Sequence, residues 1–366
     1  MKTDYTPYMK LAIRLAKKAE GMTSPNPLVG AVIVDKKGKV IGKGFHRRAG
    51  EPHAEVMALR DSGRVPAAST MIVTLEPCNH FGRTPPCTLA IEQARIERVV
   101  IANKDPNPGV KGGGAAYLRK AGIEVIDGVC RQEAERLNEA YFKHVKTSRP
   151  FVSMKLAMSM DGRIAAHDGS SKWITSMDSR RIAHALRNTA DAVVVGAGTI
   201  KNDDPELTVR HVRVRNRPLY RVIFDTHLRM PVRANVITNQ SAVYKTMVLT
   251  ASNNTALIQT FVHAGAEVVR IKTRGGMLSL QDALNFLGKR FMHILVEGGA
   301  GLVGSFVKAR QVDKFHIFIA PKIIGADGIY PFQGVFSKSM NNVLELKDVQ
   351  INTHSGDCLF QGYPRW

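Results

Sequence analysis

Two trains of short β-branched runs, each interleaved with helical stretches and parted at Thr147-Ser148-Arg149-Pro150, constrain this chain more than any other feature. In the first train, apolar runs at 29–34, 71–75 and 99–101 read as strands. Helices are predicted at 5–20, 53–61, 88–95, 112–121 and 131–144. Alternation of this kind reads as a sheet flanked by helices. The pattern stops at 147–150 and a new strand opens at 151–156. Further strands are expected at 192–196, 219–225, 246–250, 268–271, 293–296 and 315–320, with helices at 178–187, 256–264, 280–289 and 302–309. The 366 residues suit two domains at about 150 residues each, here 1–147 and 148–366. No internal repeat or low-complexity tract supports a solenoid.

Lys and Arg total 52 against 31 Asp and Glu, a net charge of +21. Such a surplus points to anionic partners: nucleic acid, phosphorylated metabolites or a membrane surface. It divides as +10 over residues 1–150 and +11 over 151–366, with no basic tail. The opening helix lacks a signal-peptide apolar core, and no apolar run approaches the roughly 18 residues of a membrane span. Cys78, Cys87, Cys130 and Cys358 are too few for a disulfide scaffold. A cytoplasmic protein is expected, in which a close cysteine pair reads as a metal site.

His53-Ala54-Glu55 is followed by Pro77-Cys78 and, nine positions later, Cys87. One imidazole and two thiolates suit zinc and leave a fourth position open, the mark of a catalytic rather than a closed structural site. Glu55, two residues from a ligand, is placed to carry protons between water and a departing amine. Cys87 follows Pro86 at a predicted helix start, which favours its thiolate. Isolated histidines and cysteines are ordinarily packing residues. Their joint order, with Pro before the first Cys, is that of the zinc deaminases.

The flanking residues narrow the resemblance. Ser24-Pro25-Asn26-Pro27-Leu28-Val29-Gly30-Ala31, Gly44-Phe45-His46, Gly50-Glu51-Pro52-His53-Ala54-Glu55, the run from Thr74 to Cys87 and Asp105-Pro106-Asn107-Pro108 resemble the bifunctional riboflavin biosynthesis family. In that family a diaminohydroxyphosphoribosylaminopyrimidine deaminase is fused to a reductase. The eight-residue spacer between the cysteines, holding Gly82-Arg83-Thr84-Pro85-Pro86, is the discriminating feature. The resemblance implies a cytidine-deaminase-like α/β/α sandwich with zinc on His53, Cys78 and Cys87 and Glu55 as proton donor. It places Asn26, His46, Arg83 and Asn107 in the substrate pocket. For Asn26 and Asn107 a turn role beside proline is the ordinary alternative.

In the second half, 293–296 runs into Glu297-Gly298-Gly299-Ala300-Gly301-Leu302-Val303-Gly304, and residues 299–304 match G-x-G-x-x-G before a helix. That context suits a phosphate at a helix N-terminus. Only 62 residues follow Gly304, too few for the rest of a two-halved Rossmann domain. Arg210, Arg213, Arg215, Arg217 and Arg221 read mostly as solvated, Arg210 excepted. The stretches 155–165, 171–176, 202–210 and 296–299 resemble the reductase half of the same family, which is similar to dihydrofolate reductase in fold and uses NADPH. The resemblance implies that Ala157, Trp173, Thr199, Asp203, Thr226 and the loop Gly298, Gly299, Ala300, Gly301, Leu302, Val303, Gly304 contact the cofactor. It puts Lys155, Ser171, Arg187, Leu207, Arg210 and Glu297 on the substrate. By themselves Trp173 reads as core and Arg187 as an exposed helix cation. Residues 227–290 carry no quotable motif.

The expected activity is deamination of an aminopyrimidine ribotide, then NADPH-dependent reduction of its ribosyl chain. Expected partners are phosphorylated pyrimidines, with neither nucleic acid nor membrane, and the family implies a homodimer or tetramer. Rival readings are a nucleic-acid deaminase, a plain nucleic-acid binder, and a reductase carrying an inert zinc domain. Aromatics at 7% with no clustered stripe disfavour the first. Glu55 disfavours the last.

Overall fold

The computed structural model describes residues 3–81, 85–107, 113–212 and 217–366. It divides into two compact units, Met1–Ser148 and Arg149–Trp366. The first unit runs α1 (Thr6–Lys17), β1 (Gly30–Val34), β2 (Val40–Phe45), α2 (Ala54–Ser62), β3 (Thr70–Leu75), α3 (Cys87–Gln93), β4 (Arg98–Asn103), α4 (Gly114–Lys120), β5 (Glu124–Asp127), α5 (Arg131–Leu137) and α6 (Glu139–Thr147). The sheet order is β2-β1-β3-β4-β5. β1 pairs antiparallel with β2 and β3, while β3, β4 and β5 run parallel.

β1 and β3 are buried along their whole length, as continuous β-branched runs covered on both faces should be. Val32, Ile72 and Val100 pack under α1 and α5; Ile33, Met71 and Ile101 pack under α2, α3 and α4. In α1, Pro7 sits in the first turn, and Met9, Ala12, Ile13 and Ala16 form the buried stripe at helical spacing. This is the α/β/α sandwich. Three sequence expectations change in detail. β2 and β5 were absent from the sequence reading, and the single helix expected at 131–144 divides at Asn138. The Asn138 side chain leaves the helix to bracket Leu28, accepting from its amide and donating to its carbonyl, both at 2.8 Å.

The second unit runs β6 (Phe151–Ser159), α7 (Met177–Thr189), β7 (Ala192–Gly196), α8 (Ala197–Asp203), β8 (Leu219–Phe224), α9 (Asn235–Thr238), β9 (Tyr244–Thr250), α10 (Thr255–His263), β10 (Glu267–Arg270), the two-residue pair β11 (Thr273–Arg274) and β12 (Met277–Leu278), α11 (Leu280–Gly288), β13 (His293–Val296), α12 (Ala300–Lys308), β14 (Lys314–Ala320), a 3-10 turn, β15 (Glu345–His354) and β16 (Asp357–Arg365). Its nine-stranded sheet has the order β10-β9-β8-β7-β13-β6-β14-β16-β15. All neighbours are parallel up to β14; β16 and β15 close the edge as an antiparallel hairpin. Val194, Val222, Met247 and Ile294 form one core face, and Val193, Val195, Ile223 and Val248 the other. Each such side chain contributes about 1.5–3 kcal/mol on burial.

Strand succession reverses beside β7 and β13, so the carboxyl ends of β6, β7 and β13 open on a crevice, the usual ligand position in parallel sheets. No helix among the described residues is long and apolar enough to cross a membrane.

Candidate active sites

In the first unit, His53 is the extended residue that starts α2, and Glu55 lies in that helix's first turn. Gly44 lets α2 approach β2: a Cβ there would lie 2.3 Å from the Ala54 carbonyl. Cys78 follows β3, and Cys87 is the first residue of α3. His53 Nδ1 lies 3.2 Å from Cys87 Sγ and 3.5 Å from Cys78 Sγ, and the three donors all fall within 4.8 Å of one another. Zinc bonds of about 2.0–2.3 Å in tetrahedral array separate such donors by about 3.6–3.8 Å, so this set fits the ion with little movement.

The Cys87 amide donates to Cys78 Sγ at 3.4 Å. The helix start therefore serves the Cys78 sulfur, where the sequence had favoured Cys87. The Cys78 thiol is held down to about 4 by the Cys87 thiol first, with His53 and the Cys87 amide adding to it against burial. Cys87 is pushed up by its bond to Cys78 and by burial. Glu55 is buried, its Oε2 has no hydrogen-bond partner, and it lies within reach of the Cys87 thiol. Burial, followed by the Cys78 charge, pushes its carboxyl up to about 7.

Asn26 and His46 sit together beside this cluster. Asn26 Nδ2 is 3.0 Å from His46 Nε2, and the His46 ring meets the His53 ring edge-on at 5.3 Å. His46 Nδ1 faces the Pro52 carbonyl at 3.3 Å, and burial holds this imidazole below its ordinary pKa. Asn107 follows a loop pinned by Glu76, which accepts from the amides of Asp105 and Ala115 at 3.1 and 2.8 Å. Glu76, two residues before Cys78, was given no role from sequence. Arg83 lies outside the described residues.

In the second unit a cavity of about 780 Å³ opens at the carboxyl ends of β6, β7 and β13. All six residues expected on the reductase substrate, Lys155, Ser171, Arg187, Leu207, Arg210 and Glu297, line it. Of the cofactor set, Ala157, Trp173, Thr199, Asp203 and residues 298–302 line it as well. Thr226, Val303 and Gly304 do not stand on its wall. The Thr226 carbonyl ties to Ala251 N and Thr250 Oγ1, and Val303 is fully buried in the sheet-facing core. Gly304 packs against Gln333, where a Cβ would lie 1.8 Å from a carbonyl oxygen. The last glycine of the motif thus serves packing.

Trp173 is 61% exposed rather than core, and Arg180 stacks 4.4 Å from its ring. Arg187 is likewise no exposed cation. Its Nε and Nη2 donate to Glu297 Oε1 and Oε2 at 2.5 and 2.9 Å, a half-buried bidentate pair. Burial alone would raise the Glu297 pKa; Arg187 and then Lys155 more than offset it, leaving the carboxylate lowered. Burial lowers Lys155, against the pull of Glu297. α12 opens on the cavity from Gly299, whose amide donates to Thr199 Oγ1 at 3.1 Å. The start of this nine-residue helix suits a cofactor phosphate.

Residues 150–360 match the RibD C-terminal domain family, more than half of the chain. This chain belongs to the RibD family. Residues 2–103 match the cytidine and deoxycytidylate deaminase zinc-binding region. The chain is 48% identical over 319 residues to the riboflavin biosynthesis protein RibD of Aquifex aeolicus, covering 87% of each, and 41% identical to that of Bacillus amyloliquefaciens, covering 98% of this chain and 96% of the other. Among solved structures, the Thermotoga maritima diaminohydroxyphosphoribosylaminopyrimidine deaminase/5-amino-6-(5-phosphoribosylamino)uracil reductase superposes with a TM-score of 0.87 at 38% identity, over 99% of both chains. Acinetobacter baumannii RibD superposes at 0.88 and 35% identity, again over 99% of both. RibD membership makes this chain a bifunctional deaminase and reductase of riboflavin biosynthesis, with a zinc-binding deaminase domain and an NADPH-using reductase domain.

Among the cavity residues of this RibD chain that the sequence reading gave no role are two titratable ones on one helix. His184 and Arg180 lie on α7, and the i, i+3 spacing of His184 to Arg187 is the signal that was available. Burial first, then the charges of Arg187 and Arg210, lower His184 to about 4. Burial, with Lys314 and His293, lowers His316 to about 3. Both imidazoles fold neutral, and an unfolded histidine titrates near 6.5. Below that value the unfolded chain binds more protons, so stability falls with pH from about 6.5 toward these lower values. Thermal melts of the reductase unit should decline across this window, and His184→Gln should flatten the decline.

Proposed function

We propose that residues 1–147 deaminate 2,5-diamino-6-(5-phosphoribosylamino)pyrimidin-4-one and that residues 148–366 reduce the product to 5-amino-6-(5-phosphoribitylamino)uracil. The observation that carries the reading is the trio of zinc donors with a buried carboxylate beside it, in a chain that also holds a cavity at the carboxyl ends of its parallel strands. His53, Cys78 and Cys87 would hold the ion, which would supply Lewis acidity for attack by water at neutral pH. Glu55 is placed to hold the proton released by the attacking water and to pass it to the amine that leaves as ammonia. A carboxyl whose pKa stands near 7 can do both. Asn26, His46, Arg83 and Asn107 bind the pyrimidine ribotide.

NADPH, when bound, would supply the hydride that reduces C1 of the opened ribose, and the chain's own contribution is orientation. Ala157, Trp173, Thr199, Asp203 and the 298–302 loop hold the cofactor in this assignment. Lys155, Ser171, Arg187, Leu207, Arg210 and Glu297 hold the substrate, with Lys155 and Glu297 anchoring the sugar. Four free cysteines accord with a cytoplasmic setting, and we expect a homodimer or tetramer.

Incubation with the diaminopyrimidine ribotide and NADPH tests the reading, following ammonia release and nicotinamide absorbance together. Both should change. Chelation of the metal should stop ammonia release, leave NADPH oxidation on the deaminated intermediate intact, and be reversed by added zinc. Turnover of RNA without turnover of the ribotide would decide for a nucleic-acid deaminase.

A further inference from the structure

The arginines between 210 and 221 were assigned mostly to solvent, yet Arg221 is 0% exposed. It stands on β8 between Val193 of β7 and Thr246 of β9, on the face that packs Leu219 and Ile223. Nη1 donates to the Glu206 carbonyl at 3.1 Å, whereas Nε and Nη2 have no hydrogen-bond partner among the described residues. The Tyr244 ring lies 5.9 Å from its guanidinium carbon. Burial lowers its pKa only to about 10, so the group stays charged at neutral pH. A buried cation with unmade hydrogen bonds is a costly way to fill core volume that an apolar side chain would fill better. The cost points to what the one made bond does.

That bond grips the peptide joining Glu206 to Leu207. Leu207 has φ 51°, the left-handed region that a leucine rarely adopts. The orientation of its preceding peptide is set by ψ of Glu206 and φ of Leu207, so a donor fixed on the Glu206 carbonyl opposes the flip that would relax it. Such strain persists only where the surroundings over-determine it. The surroundings here do so one backbone group at a time. The Tyr244 hydroxyl lies 3.2 Å from both the amide and the carbonyl of Val209. Arg187 Nη1 donates to the Thr208 carbonyl at 3.0 Å, and the Arg210 amide donates to His184 Nδ1 at 3.1 Å. Leu207 and Arg210 are both on the cavity wall, Leu207 with its side chain packed in the core, so the fastening sets its backbone and the Arg210 side chain at the cavity.

We propose that Arg221 and Tyr244 are positioning residues for reduction: from the core on the same face of the sheet they hold residues 206–210 in the strained conformation that sets Leu207 and Arg210 against the phosphoribosylaminouracil. The inference rests on the reductase reading given above. Full-length Arg221→Met and Tyr244→Phe test it, with three readouts: KM for 5-amino-6-(5-phosphoribosylamino)uracil, Kd for NADPH, and ammonia release from the diaminopyrimidine. If the competent loop falls to about a tenth and a third of the population, substrate KM rises about tenfold in Arg221→Met and about threefold in Tyr244→Phe. NADPH Kd and ammonia release stay at wild-type values. Arg221→Lys, which keeps a donor for the Glu206 carbonyl, recovers most of the loss. Unchanged substrate KM in both variants overturns the proposal, and so does an NADPH Kd that rises in step with it, since a generally loosened domain would do that. Should Arg221→Met not fold, Tyr244→Phe decides by the same criteria. A wild-type protein that fails to oxidise NADPH with the uracil ribotide would instead overturn the reductase reading.

Discussion

Glu55→Gln is expected to reduce ammonia release by about 10²–10⁴-fold, the range for loss of a positioned proton carrier. NADPH oxidation on the deaminated ribotide and bound zinc should both stay at wild-type levels. The substitution is nearly isosteric and leaves His53, Cys78 and Cys87 untouched. It removes only the capacity to hold and release a proton. Two features of the carboxyl make that loss large. It is buried, and its Oε2 has no hydrogen-bond partner among the described residues, so it is not tied up in the fold. Its pKa near 7 also suits accepting a proton and returning it within one turnover. The control is internal, because the reductase cavity lies in the other compact unit. Metal analysis and both half-reactions on one preparation settle the matter. Deamination at the wild-type rate would remove Glu55 from the assignment.

The chemistry of this chain was more legible than its outline. His53, Glu55, Cys78 and Cys87 were readable because zinc and proton transfer demand particular atoms, and few residue types carry them. The long parallel strands were readable because burial on both faces writes an uninterrupted β-branched run, as in Ala192–Gly196. β2 was not, since Val40–Phe45 carries Gly42 and Gly44. Those glycines weaken any strand signal, yet α2 presses so closely there that a Cβ on either would collide with its carbonyls. β15 is exposed along most of its length and held by its partner β16, so it shows no buried alternation to detect. Arg221 was misread for a related reason: a charged side chain among other arginines gives no sign of being buried. Only the fold reveals that it backs the loop at 206. Thr226, Val303 and Gly304 were carried by resemblance beyond what the cavity wall holds.

Arg187→Leu is expected to cost the reductase unit about 3 kcal/mol, because it strands a Glu297 carboxylate whose side chain is only 9% exposed. For a unit of this size the loss corresponds to roughly 6–12 °C in melting temperature. Lys155 alone cannot replace the two-pronged contact, since its ammonium offers a point charge where the guanidinium offers a matched fork. The double variant Arg187→Leu/Glu297→Gln removes both charges and should recover much of the stability, with a coupling of about 2 kcal/mol or more between the sites. Its reductase activity should stay absent, as both side chains face the cavity. The pH response separates this pair from the histidines. Glu297 titrates lower folded than unfolded, so its contribution is complete above about 4.3 and is lost as pH falls through the depressed folded value. The histidine losses begin near 6.5 instead. Melts of the double variant should keep the decline between about 6.5 and 4 and lose the steeper limb beneath it. An additive double variant would mean that Arg187 and Glu297 are held by packing independently of each other, and the ion pair would then not be what fixes this wall of the cavity.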